Sequence, residues 1–207
     1  MFFRIFRSFR VLTLFLIVLT GALLWIQTYL RVYVHGVVPS PPGQMPFYLE
    51  LERLVDGIPK FSIGLTFSLL VLISFFLVRI GTKYILTDRT YFHSLFFLLL
   101  AGSYFPIQRF NAALIGIPFL VLAIDRVLGA YAKDKVTYNY FDAAILISVG
   151  SFFYPNLIFY ILMLWIALII FRPISWRSWI QTIIGIAVPY VFVDFCFYYF
   201  KGEYFYL

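Results

Sequence analysis

Three carboxylates, Glu50, Glu52 and Asp56, lie within two helical turns of one another in the stretch VPSPPGQMPFYLELERLVDGIPK, residues 38–60. A carboxylate held this way can act as a general base, and a pair can hold a divalent cation. Glu52 and Asp56 are four apart and would be neighbours on one helix face, where like charges cost a few tenths of a kcal/mol. Arg53 stands three residues from both Glu50 and Asp56, the spacing of a solvated, ion-paired face. Neither histidine, His35 or His93, adjoins the acids, so the solvated face is the simpler reading and no metal site is expected. Two further acids sit at or within apolar runs. An unpaired carboxylate inside a bilayer costs about 2.5–3.5 kcal/mol, so Asp194 should face other helices and meet Arg109 or a tyrosine hydroxyl. Asp142 opens an apolar run near Arg126, Lys133 and Lys135, where a helix N-terminal charge or an ion pair accounts for it.

The elements that carry these residues are set by composition. The 207 residues are 63% hydrophobic, 22% aromatic and 12% charged. Soluble domains run at about 45–50% apolar and about 25% charged. Too little polar surface exists to coat a water-soluble particle, so the expected class is an all-α, polytopic transmembrane helical bundle whose solvent is the lipid bilayer. The apolar runs do not alternate, which excludes a membrane β-barrel. The net charge of +7 does not signal nucleic acid, because the basic residues flank apolar spans rather than forming a patch. Cys196 is the single cysteine, which excludes an internal disulfide and a thiolate zinc cluster.

The spans follow from length. Residues 11–30 follow Arg4, Arg7 and Arg10 and are as long as a bilayer crossing, too long for a signal-peptide core, so a retained signal anchor is expected. The outer loop 31–60 comes next, then a span at 61–78. Residues 91–127 would make a helix of about 55 Å against a hydrocarbon core of about 30 Å. SYFPIQRFN must break it, giving spans at 91–107 and 111–127. Residues 141–171 pose the same problem at about 46 Å, and Tyr154-Pro155-Asn156 divides them into 138–154 and 156–171. The last span is 179–200, bent at Pro189. With about seven spans and a cytoplasmic N-terminus, eleven of the 16 lysines and arginines fall inside, as the positive-inside rule requires. One membrane domain over residues 1–207 is expected. AGSYFP (101–106) and VGSFFYP (149–155) suggest repeated hairpins, though glycine, serine, aromatics and proline also suit any membrane-edge turn.

Within the outer loop, Phe47, Leu51, Leu54, Val55 and Ile58 form one helical stripe, with Glu50, Glu52, Arg53 and Asp56 opposite. This predicts an outer-face amphipathic helix between the first two spans, started by Pro46 and stopped at Gly57-Ile58-Pro59. Ala112/Gly116 and Ala144/Ser148 allow close helix approach. The aromatic tail FYYFKGEYFYL suits an interfacial girdle or a docking strip for an envelope partner. No P-loop, dinucleotide fingerprint, HExxH or GxSxG occurs, so no cofactor is expected.

YFDAAILISVGSFFYP, LWIALIIFRPISWRSW and GIAVPY resemble the C-terminal half of an uncharacterised family of small polytopic inner-membrane proteins of Bacteroidota, over roughly residues 91–190. The resemblance implies architecture and a bacterial inner-membrane location. The span count, the acid-bearing first outer loop and QRFNAALIG at 108–116 are similar to the membrane module of C-type glycosyltransferases, which use polyprenyl-phosphate sugars. That resemblance implies Glu50, Glu52 or Asp56 as catalytic base and Arg109 beside the lipid phosphate. Those enzymes place the acid close after the first span, where this chain has Gln27, Thr28, Tyr29 and Arg31, and no large periplasmic part is among these residues.

Three functions follow in order. The first is a non-catalytic inner-membrane subunit or scaffold of an envelope assembly handling lipid-linked glycan or secreted protein, with membrane or periplasmic protein partners. The second is a small C-type glycosyltransferase-like enzyme using a polyprenyl-phosphate sugar. The third is a transporter, whose spans carry few polar residues to line a path. A reporter fused near residue 45 should be accessible from the periplasm and silent in the cytosol of intact cells; cytosolic signal there would reverse the orientation.

Overall fold

The computed structural model describes residues 15, 18–23, 25–26, 30, 45–56, 59–84, 90–103, 110–131, 137–171 and 176–201. The proline-rich arm 31–44, Arg109 with its turn, Lys133, Lys135, Arg172, the tail 202–207 and most of the expected first span lie outside the described residues, as do the side chains of Asp56 and His93.

All regular structure among the described residues is helical. The helices are α1 (Pro46–Asp56), α2 (Pro59–Lys83), α3 (Thr90–Ser103), α4 (Ala112–Leu128), α5 (Thr137–Ser151), a 3-10 segment (Pro155–Tyr160), α6 (Ile161–Phe171) and α7 (Trp176–Lys201). The described residues between 15 and 30 are helical as well. Pro46, Pro59 and Pro155 each open their helix, where a missing N–H removes no helical bond. Asn111 caps α4, its Oδ1 accepting the Leu114 N–H at 2.9 Å. Tyr154, ahead of Pro155, turns extended (φ −132°, ψ 100°), as a residue before proline prefers. The amides of Phe152 and Phe153 bond back to Val149 and Gly150 at 3.3 and 3.1 Å, so the turn after α5 leaves no orphaned donors there.

Two helices are long and apolar enough to cross a membrane: Phe61–Lys83, with 23 residues and mean hydropathy 2.5, and Trp176–Phe200, with 25 residues and mean hydropathy 1.8. The 14, 17 and 15 residues of α3, α4 and α5 rise about 21, 25 and 22 Å, each short of a core of about 30 Å. By length and apolarity, then, two of the expected spans stand on their own among the described residues.

The chain forms two compact units, Met1–Pro118 and Phe119–Leu207, divided inside α4. In the first, α2 packs along α3, and the buried hydroxyls of Ser74 and Ser94 meet across that contact. Trp25 lies against Phe67 with ring centroids 5.8 Å apart, and Gly21 admits the Phe67 ring edge where a Cβ would sit 3.2 Å from it.

The second unit has Ala123, Val127, Tyr140, Ala143, Ala144, Ile147, Leu164, Ala167 and Leu168 in its core. Its two ends differ. At one end the Arg126 guanidinium is 3.5 Å from the Asp142 carboxylate, and Tyr131 packs edge-on to Phe171. At the other end Phe119 stacks on Phe153 and Tyr190 meets Phe152 edge-on. These contacts make α4 run from the second end to the first, α5 return, the 3-10 segment and α6 come back, and α7 return again. α5 and α7 are parallel, because their contacts ascend together: Phe141 with Gly185, Ser148 with Ile186, Ser151 with Tyr190.

Gly185 makes this pairing close. A Cβ there would lie 2.8 Å from the Phe141 carbonyl oxygen and 2.9 Å from the Ala144 Cβ. At Gly64 nothing lies within 4 Å of an added Cβ. Gly185→Ala should therefore lower stability by about 1–3 kcal/mol through overpacking, whereas Gly64→Ala should stay within about 0.5 kcal/mol of the parent or gain slightly from helix propensity. Thermal unfolding midpoints in one detergent compare the two.

Candidate functional site

The acidic stretch folds as α1, and its anchor is a tyrosine. Tyr48 is completely buried and stacks on Phe110, ring centroids 5.8 Å apart and planes 18° from parallel. Its hydroxyl lies 3.2 Å from the Glu52 Oε1 and 3.3 Å from the Phe110 carbonyl oxygen. A phenol has one proton to donate, so these acceptors share it. Tyr48 and Glu52 are one turn apart on one face of α1, and Val55, also buried, completes the seated face.

This differs from the stripe read in sequence. Leu54 is 80% exposed, and the seated face runs through Tyr48 and Val55. The expected stripe, Phe47, Leu51, Leu54, Val55 and Ile58, shares Val55 with the seated face but left out Tyr48. Tyr48 buries a large ring while its hydroxyl finds two oxygens, which an aliphatic side chain cannot do. The signal was present as the Tyr48/Val55 spacing of two turns.

Glu50 and Glu52 have different surroundings. Glu50 pairs with Arg53 at 3.1 Å, both side chains mostly exposed. Glu52 is half-buried and touched by Tyr48. Asp56 ends the helix. Arg109, expected near a lipid phosphate, lies outside the described residues. Among the described residues, no group of three or more histidine, cysteine or acidic side chains could hold a metal ion.

Asp142 sits at the start of α5, ion-paired to Arg126, and Asn139 one turn earlier donates its Nδ2 hydrogen to the Arg126 carbonyl at 3.1 Å. Together they tie the end of α4 to the start of α5. Asp194 is half-buried in the C-terminal half of α7.

A hydroxyl cluster that sequence reading missed joins α5 to α7. Ser148 donates to the Ile186 carbonyl at 3.0 Å, and Ser151 meets the Tyr190 hydroxyl at 2.6 Å. The Ala144/Ser148 spacing marks Ser148 for its size alone; both residues face α7. In the first unit, Ala22, Trp25, Ile26, Ile63, Gly64 and Phe67 line an apolar cleft of about 220 Å³.

No family model, no curated protein and no solved structure matches this chain.

The arrangement around Tyr48 can do two things. It clamps α1 onto the residue that precedes the α4 cap, and it orients one carboxylate of three. Tyr48→Phe should lower stability by about 1 kcal/mol, the worth of a net hydrogen bond. Tyr48→Ala should cost about 3–5 kcal/mol from the lost ring. Thermal unfolding in detergent reads both, and equal effects would show that the hydroxyl, not the stacking, holds α1.

Proposed function

We propose that this chain is a polytopic protein of the bacterial inner membrane that serves as a subunit or scaffold of an envelope assembly, without catalysis of its own. The observation that carries the membrane part is the outer surface of α7. Only 11% of its most apolar stretch is buried, and Ile183, Ile184, Val188, Val191 and Phe192 are exposed along it. Leu162, Ile166, Ile169 and Ile170 of α6 are exposed in the same way. Soluble monomers rarely leave contiguous apolar faces of this kind open to water.

The up-and-down course of the second unit supports a multi-pass reading. Its four segments alternate in direction, and the ion pair Arg126–Asp142 lies at one end. Lys133, Lys135, Arg172 and Arg177 are close in sequence to that same end. The positive-inside rule gives such an end to the cytoplasm. The scaffold reading is supported by the occupied state of the acids: Glu50 on Arg53, Glu52 on Tyr48, Asp142 on Arg126. Each has a structural duty that needs no reaction. The bilayer and other membrane or periplasmic proteins are the partners this implies.

One observation favours the second reading, a C-type glycosyltransferase-like enzyme acting on a polyprenyl-phosphate sugar. Tyr48 contacts the half-buried Glu52 and gives that carboxylate a fixed orientation, which a general base requires. The two readings separate in cells lacking the gene. Under the scaffold reading, Glu50→Gln, Glu52→Gln and Asp56→Asn each restore the envelope phenotype, and the protein purifies from mild detergent with stable partners. Loss of complementation by Glu52→Gln alone, at normal protein level, would replace the scaffold with the enzyme.

A further inference from the structure

α7 changes character at Pro189. Before it, Ser178, Thr182 and Gly185 are buried at successive turns of one face, and Gly185 lies against the α5 backbone. After it, none of residues 190–200 is buried, and Phe195, Tyr199 and Phe200 are 65%, 74% and 81% exposed. The proline itself has no N–H, so the Gly185 carbonyl has no helical donor and the ring crowds that carbonyl. Sharp kinks in helices are found at prolines of this kind.

Two hydroxyls of α5 bracket the missing rung. Ser148 donates to the Ile186 carbonyl, next to the orphaned one, and Ser151 meets the Tyr190 hydroxyl directly after the proline. Ser151 is also the last residue of α5. Because α5 and α7 run parallel, α5 supplies no further residues alongside α7 once it has met Tyr190. The 11 residues 191–201 therefore lie beyond the end of α5, over about 16 Å if helical.

We infer that Pro189 is a hinge, and that residues 191–201 form an arm that pivots about it, with Ser148 and the Ser151–Tyr190 contact as the bearing. The hydroxyls hold the inner side of the hinge in register. The absent backbone bond makes the change of angle cheap. The arm carries one acid, Asp194, one turn beyond Tyr190 on the same face, so pivoting moves that carboxylate relative to the end of α5. Nothing in this device depends on whether the chain is a scaffold or an enzyme.

Cys196, the only cysteine, lies on the arm and gives a native labelling site. A second nitroxide at Ile180→Cys, on the anchored half, spans the proline. Double electron–electron resonance in lipid nanodiscs should show a broad distribution displaced to shorter distance than a straight helix. In Pro189→Ala it should collapse to a single narrow peak set by a Cα separation of about 24 Å, the rise of a straight helix between the two sites. Ser151→Ala, with the proline kept, should broaden the distribution further. Equal widths in parent and Pro189→Ala would overturn the hinge. Were Pro189→Ala not to fold, an unchanged width in Ser151→Ala would overturn it equally, since the bearing would then have no bearing function.

Discussion

The second unit depends on one close approach, that of Gly185 to the backbone of α5 at Phe141 and Ala144. Helices that meet at a glycine can come near enough for backbone and short side chains to touch, which side chains of ordinary size forbid. Once Gly185 fixes the distance, Ser148 and Ser151 fall within reach of α7, and the two helices lock in parallel register. Parallel neighbours in one chain need an intervening segment that returns. The 3-10 segment and α6 supply it, and Tyr154-Pro155 supplies the reversal. The course of four consecutive segments thus follows from the volume of one missing side chain.

The hydroxyl groups obey a matching constraint. Thr66, Thr82 and Thr182 each donate to a carbonyl of their own helix, at 2.9–3.0 Å, four residues back. Ser74 and Ser94 satisfy one another between α2 and α3. In water such groups need no internal partner; away from it each unmade bond costs on the order of 1–3 kcal/mol. The pattern is the polar counterpart of the exposed isoleucines and phenylalanines. Large apolar side chains are exposed on α6 and α7, while Thr66, Ser74, Ser94 and Thr182 are buried and hydrogen-bonded.

Helix type, proline-started boundaries and the division at Tyr154–Pro155 were legible in the sequence because local chemistry decides them. Apolar run length, N1 proline and pre-proline extension act on neighbouring residues. The helix at Pro46–Asp56 was legible from its periodicity, but its seated face was not. Tyr48 is drawn inward by Phe110, 62 residues away in sequence, and Leu54 is left outside. The Ser151–Tyr190 contact spans 39 residues and was equally invisible. Span counting sits between these cases. Hydropathy marks where apolar helices begin, but α3, α4 and α5 are too short for length to decide what they cross.

The burial of Tyr48 bears on what α1 can do. An amphipathic helix that merely floats at an interface is held by the sum of its apolar contacts and can slide or rotate. Here one ring is wholly enclosed and stacked on a residue of the same unit, and its hydroxyl reaches a carbonyl across that contact. The helix is pinned at a point about two turns from its far end. Rotation about its axis would withdraw Tyr48 and strand its hydroxyl, so the facing of Glu52 is set by packing rather than by the lipid surface. Glu50, held by Arg53 on the open side, has no such constraint. A scaffold needs the first property, a surface helix presented at a fixed angle. An enzyme would need that and a carboxylate whose proton affinity counts in a reaction, and α1 supplies the orientation on which either use would rest.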